Sequence, residues 1–155
     1  MPTLAGPIQL AAPHETEALA ARFASRLGAG DCLLLSGPIG AGKSAFARAL
    51  IRARLGDPAA EVPSPTFTLV QVYETDDTEI WHTDLYRLTG PSEALELGLA
   101  EAFETAICLV EWPDRLADLA PEGALTLALA DAPPGRSLTI SGPESWRPRL
   151  ETILA

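Results

Sequence analysis

The chain has 155 residues, 11 of them basic and 21 acidic, for a formal net charge of −10; 47% are hydrophobic and 21% charged. This composition excludes an intrinsically disordered chain, and the length fits one domain over residues 1–155 that buries roughly 70% of its unfolded surface. The acidic balance argues against a stand-alone binder of nucleic acid or anionic membrane, which would neutralise phosphates with clustered Lys and Arg.

Strand-like and helix-like segments alternate along the chain. Residues 7–10 read as a short strand. Residues 15–27 read as a helix, with Leu19, Phe23 and Leu27 at four-residue spacing and Gly28 and Gly30 closing it. The almost wholly apolar run 31–36 is of the kind buried on both faces of a parallel sheet. A helix is predicted over 43–55, with Phe46, Leu50 and Ala53 on its apolar face. Three prolines make 56–65 an extended loop. Segments 66–74 and 79–86, rich in Thr, Val and aromatics around the turn at Asp76-Asp77, read as two paired strands. There follow a helix over 92–102, a buried strand over 106–110, a short helix over 114–119, strands over 125–130 and 137–141, and a last helix over 144–154. The alternation predicts an α/β domain with a mixed sheet.

Cys32 and Cys108 lie far apart in sequence, each inside an apolar run, and are read as core thiols, with neither a disulfide framework nor a zinc site. The N-terminal stretch has no side-chain charge before His14 and no continuous apolar core, and no apolar run approaches the length of a membrane span. A cytoplasmic location is therefore expected.

Ten of the 11 basic residues are Arg; the only lysine is Lys43. It sits in Gly37-Pro38-Ile39-Gly40-Ala41-Gly42-Lys43-Ser44, which matches G-x-x-x-x-G-K-[ST]. Average residue frequencies give a chance match in a chain of this length on the order of one in two hundred, and a predicted strand before and helix after make chance a poorer account. The glycines let the backbone approach phosphate oxygens with its amides facing the anion. The candidate nucleotide cradle is thus Gly37, Gly40, Ala41, Gly42, Lys43, Ser44 and Ala45. In it Lys43 reaches the β and γ phosphates of ATP and the Ser44 hydroxyl ligates Mg²⁺. The motif's placement implies a P-loop NTPase-like three-layer fold with a mixed, mostly parallel central sheet. Such a site needs a second acidic group, and Glu111, closing the apolar run 107–110, is the candidate; it could also serve as a helix-start acid. His82 and Asp84, two apart on a strand, share a face, and a hydrogen-bonded polar face is favoured there over a metal pair.

Three further strings, Ser64-Pro65-Thr66-Phe67-Thr68-Leu69, His82-Thr83-Asp84-Leu85-Tyr86-Arg87 and Val110-Glu111-Trp112-Pro113-Asp114-Arg115, follow the loop in the order and spacing of the TsaE (YjeE) family of bacterial ATPases, which the chain resembles over residues 37–115. The resemblance implies a role in threonylcarbamoyl modification of the adenosine next to the anticodon in tRNA. ATP is then hydrolysed while the protein is docked on a TsaD–TsaB pair that carries out the transfer, and tRNA is met only through that complex. It implies a metal role for Ser44 and Glu111, a catalytic role for Lys43, Asp84 and Glu111, and a switch-like position near the γ-phosphate for Thr66. Trp112 is a family motif position on the same side, Thr16 resembles a position near the adenine, and Arg136 joins the nucleotide-binding set. The chain departs from the family's usual Gly-Asp-Leu-Gly-Ala-Gly-Lys-Thr at Pro38, Ile39 and Ser44. Serine keeps the hydroxyl, whereas Pro38 has no N–H to offer a phosphate. Two other classes fit the loop: a small-molecule kinase, which would need an Arg-bearing lid, and an interaction module in which ATP sets conformation and turnover is incidental.

Overall fold

The computed structural model describes residues 2–65 and 68–155. Strand β1 (Thr3–Leu10) leads into helix α1 (Pro13–Ala24). The strand is longer than its apolar residues alone suggest, because it gains a partner strand along most of its length. The helix begins two residues early because Pro13 supplies a preset φ in the first turn, and the Glu15 carboxylate accepts the Ala12 amide at 2.8 Å. It ends short of Leu27, where the Ser25 hydroxyl donates to the Arg22 carbonyl at 2.9 Å.

Strand β2 (Cys32–Ser36) and helix α2 (Lys43–Leu55) lie where the residue pattern puts them. Two left-handed glycines bracket α2, and the amide of the second, Gly56, donates to the Arg52 and Ala53 carbonyls. The buried face of α2 is Phe46, Ala47, Leu50 and Ile51. Ala53 is exposed instead, lining a groove that α1 also borders.

Strands β3 (Val70–Glu74) and β4 (Glu79–Asp84) pair antiparallel, with Val70 opposite Thr83. β4 ends at Asp84, two residues before the expected end, because Asp84 Oδ1 accepts the Tyr86 amide at 2.9 Å and turns the chain. The one helix expected over 92–102 is two, α3 (Pro91–Glu96) and α4 (Leu99–Thr105), broken where Gly98 takes φ 86°. After β5 (Ile107–Glu111) the expected short helix is a 3-10 segment, Pro113–Leu119, interrupted by Ala117 at φ 48°. β6 (Leu125–Ala132) and β7 (Gly135–Ser141) form a longer hairpin than expected, since Asp131 pairs with Arg136 and Ala132 with Gly135. A 3-10 turn, Glu144–Trp146, precedes α5 (Arg147–Leu154).

The seven strands are ordered β1-β7-β6-β2-β5-β4-β3. β6, β2, β5 and β4 run parallel at the centre, and β7, β1 and β3 complete the sheet through antiparallel pairs. Alternate side chains feed two cores, as the period of a strand requires. Leu33, Leu35, Ile107 and Leu109 cluster with Phe23, Phe46, Leu50 and Ile153. Cys32, Cys108 and Val110 cluster on the other side with Ala94, Leu99, Ala102 and Leu116. Helices on both faces of a mixed sheet give the three-layer α/β fold expected from the motif. Cys32 and Cys108 are register partners on neighbouring strands, both buried and both free thiols. Among the described residues, no helix is long and apolar enough to cross a membrane.

Candidate active site

Parallel strands bring their carboxyl ends to one edge of the sheet. Here that edge gathers Ser36 of β2, Asp84 of β4 and Glu111 of β5, with Asp84 and Glu111 direct register partners. The loop from β2 to α2 crosses the same edge. Gly37, Gly40 and Gly42 take φ of 135°, 82° and 105°. Each glycine answers a different constraint. A Cβ on Gly37 would lie 2.2 Å from the Leu129 carbonyl oxygen, one on Gly42 would lie 2.8 Å from Arg136 Cδ, and one on Gly40 meets nothing within 4 Å. Gly37 therefore seats the loop against β6, and Gly42 admits the Arg136 stem. Ala41 is buried beneath the loop, so it and Gly37 have only backbone to offer a ligand. Pro38 lacks an N–H, but its carbonyl accepts the Ala41 amide at 3.1 Å and so still shapes the turn.

Lys43, 5% exposed, folds back over this loop. Its ammonium donates to the carbonyls of Gly37 and Pro38 and lies 3.8 Å from the centroid of the Trp112 ring. Burial holds its pKa below the ordinary lysine value, and the negative charges of Glu111 and Asp84 act in the opposite direction. Trp112 reaches this position through a left-handed backbone, φ 59°, and its ring meets Tyr86 at 4.8 Å between centroids. Ser44, in the first turn of α2, donates its hydroxyl to Glu111 Oε1 at 2.8 Å. Glu111 is 2% exposed, and its second oxygen, Oε2, lies 2.7 Å from His82 Nε2.

Two adjoining cavities open here. The smaller, about 450 Å³, is lined by Gly40, Gly42, Lys43, Ser44, Asp84, Glu111 and Trp112 among others. The larger, about 900 Å³, lies between α1, α2 and the β6–β7 turn and includes Thr16, Gly42, Ala45 and Arg136. Arg136 borders both and donates to the Gly40 carbonyl, so its guanidinium stands where the two meet. The sequence-predicted residues thus fall into groups: a buried cation, a hydroxyl and two carboxylates at the smaller cavity, Thr16 at the larger, and Gly42, Ala45 and Arg136 bordering both. Thr66 lies outside the described residues.

Glu111 is not a helix-start acid; its carboxylate spans Ser44 and His82. His82 was legible in the sequence only as sharing a face with Asp84. Its partner is Glu111 on the adjacent strand, a pairing that depends on strand order. Arg48 is the other omission. It borders both cavities from α2, and its position one turn and a half beyond Lys43 was the available signal.

A family model described as threonylcarbamoyl adenosine biosynthesis protein TsaE matches residues 10–138. A Rickettsia bellii protein named tRNA threonylcarbamoyladenosine biosynthesis protein TsaE is 41% identical over 108 residues, 70% of this chain and 74% of that protein. The protein of the same name from Bacillus subtilis is 36% identical over 121 residues, 77% and 74% of the two chains. The crystal structure of YdiB from Bacillus subtilis superposes with a TM-score of 0.75 at 28% identity, covering 92% of this chain and 89% of that one. With the family model covering the whole of the loop, β4 and β5, the chain belongs to the TsaE family, whose role is tRNA threonylcarbamoyladenosine biosynthesis.

Proposed function

We propose that this chain is a cytoplasmic P-loop ATPase that serves threonylcarbamoyl modification of tRNA adenosine while docked on a TsaD–TsaB pair. The observation that carries the reading is the convergence of Lys43, Ser44, Asp84 and Glu111 on one cavity under a glycine-shaped loop. The loop supplies amides and one buried ammonium for phosphates, and the larger cavity at Thr16, Ala45 and Arg136 offers room for the base and ribose.

Mg²⁺ suits the oxygen donors present. Ser44 Oγ and Glu111 Oε1 lie 2.8 Å apart, one hydroxyl and one carboxylate, the sparse protein ligand set that Mg²⁺ uses when phosphates and water complete its shell. When bound, the ion would neutralise charge developing on the phosphates. Lys43 would leave the Gly37 and Pro38 carbonyls for the phosphate oxygens, and its partial desolvation strengthens that contact. Asp84, on the same edge and lining the same cavity, would position a water or a partner. The net charge of −10 supports contact with tRNA through the partners rather than directly.

ATP turnover is measured for the chain alone and with TsaD and TsaB homologues, for wild type and Lys43→Ala. Turnover should be slow alone, rise with the partners, and fall about 10²–10³-fold in the variant, the usual loss when one electrostatic donor is removed. Undiminished MgATP affinity in folded Lys43→Ala, or failure of wild type to associate with either partner, would overturn the proposal.

A further inference from the structure

We infer that His82 is a positioning residue that fixes the rotation of the Glu111 carboxylate and thereby sets how tightly the site takes a nucleotide-bound divalent cation. The inference rests on the ATPase reading above, and on three observations at the end of β5.

The first is the division of labour between the oxygens of Glu111. Oε1 accepts from Ser44 at 2.8 Å, and Oε2 faces His82 Nε2 at 2.7 Å. Since a carboxylate oxygen accepts and does not donate, the proton in the second contact belongs to the imidazole. The second is burial. His82 is 0% exposed, enclosed on β4 beside β5, so the ring cannot follow the carboxylate if it rotates. A carboxylate held at one oxygen by a rigid ring keeps its other oxygen aimed at Ser44 and the phosphate cavity. The third is what the ring leaves undone. Among the described residues His82 Nδ1 is buried without a hydrogen-bond partner, a desolvation cost that a leucine or phenylalanine would not incur. The single hydrogen bond given to Glu111 is what an imidazole adds at this place over an apolar side chain. Partners of this kind, one step removed from the metal, set ligand orientation and commonly change metal affinity by 10–100-fold when removed.

Two variants and one spectrum test this. His82→Leu fills the space without a donor, and His82→Gln keeps an N–H. ATP binding is measured by calorimetry with Mg²⁺ and with EDTA, and melting temperature is recorded alongside. In His82→Leu the Mg²⁺ concentration for half-maximal ATP binding should rise by roughly 10–100-fold, with affinity in EDTA unchanged; His82→Gln should restore most of the loss. In the wild-type chain without nucleotide, a long-range ¹H–¹⁵N spectrum, assigned against a His14→Gln variant, should find the proton on His82 Nε2. Equal losses with Mg²⁺ and with EDTA, no loss at all, or a proton on Nδ1 alone would each overturn the inference. The spectrum decides the matter even if His82→Leu fails to fold. Absence of ATP binding by wild type in both conditions is a separate result: it removes the ATPase reading and this inference with it.

Discussion

The glycines of the loop differ in what surrounds them, and that difference makes a quantitative prediction. Gly37 and Gly40 both carry positive φ, so alanine at either costs about 1–3 kcal/mol of backbone strain. At Gly40 the cost ends there, because a Cβ would meet nothing within 4 Å. At Gly37 the same Cβ lands 2.2 Å from the Leu129 carbonyl oxygen and 3.2 Å from its carbon, both backbone atoms of β6. Neither strand can swing aside as a side chain would, so the loop must lift off the sheet, at an overpacking cost of about 1–3 kcal/mol more. Gly37→Ala should therefore lose roughly 2–6 kcal/mol in all, a large part of the 5–15 kcal/mol a domain of this size holds. Urea unfolding followed by circular dichroism measures both variants against wild type, with the slope checked for constancy so that the midpoints report stability. Gly37→Ala should unfold at clearly lower urea than Gly40→Ala. Equal midpoints would refute the argument that Gly37 is there for contact with β6 rather than for conformation alone.

Other perturbations follow from the same geometry. Phe46 is fully buried and packs edge-on against Phe23 at 5.8 Å, so Phe46→Ala should cost about 3–5 kcal/mol in the same unfolding assay. Arg136→Ala releases the Gly40 carbonyl and empties the junction of the two cavities; calorimetry should find ATP affinity lowered about tenfold or more with little change in melting temperature, as for loss of a charged hydrogen bond. Burial pushes the Cys108 thiol up to about 12 from 9.0 and raises Cys32 well above its ordinary value, so neither should react with iodoacetamide near neutral pH until the protein unfolds. For Cys108 the folded state keeps its proton longer than the unfolded one, so its contribution to stability is intact below pH 9.0 and declines as pH climbs toward about 12; alkylation with rising pH and a melting series measure both.

Much of this protein is readable from local chemistry. The loop from Gly37 to Ser44 is a contiguous string whose conformation depends on its own glycines, and the strand before it and helix after it follow from apolar run length and periodicity. Glu111 is visible because it closes an apolar run, and the two buried cysteines because each sits inside one. Other features depend on distance in space. Gly98 splits a helix whose apolar pattern reads as continuous, because a left-handed residue leaves no trace in hydrophobic spacing. Ala53 occupies the expected stripe but faces a groove, since which face is covered depends on where α1 lies. The pairing of His82 with Glu111 arises only because β4 and β5 are adjacent and parallel, in a register that sets Asp84 beside Glu111 and His82 one pleat away. Strand order is decided by the packing of both sheet faces together, a collective free energy that local residue patterns do not encode, and the edge where Asp84 and Glu111 meet owes its His82 contact to it.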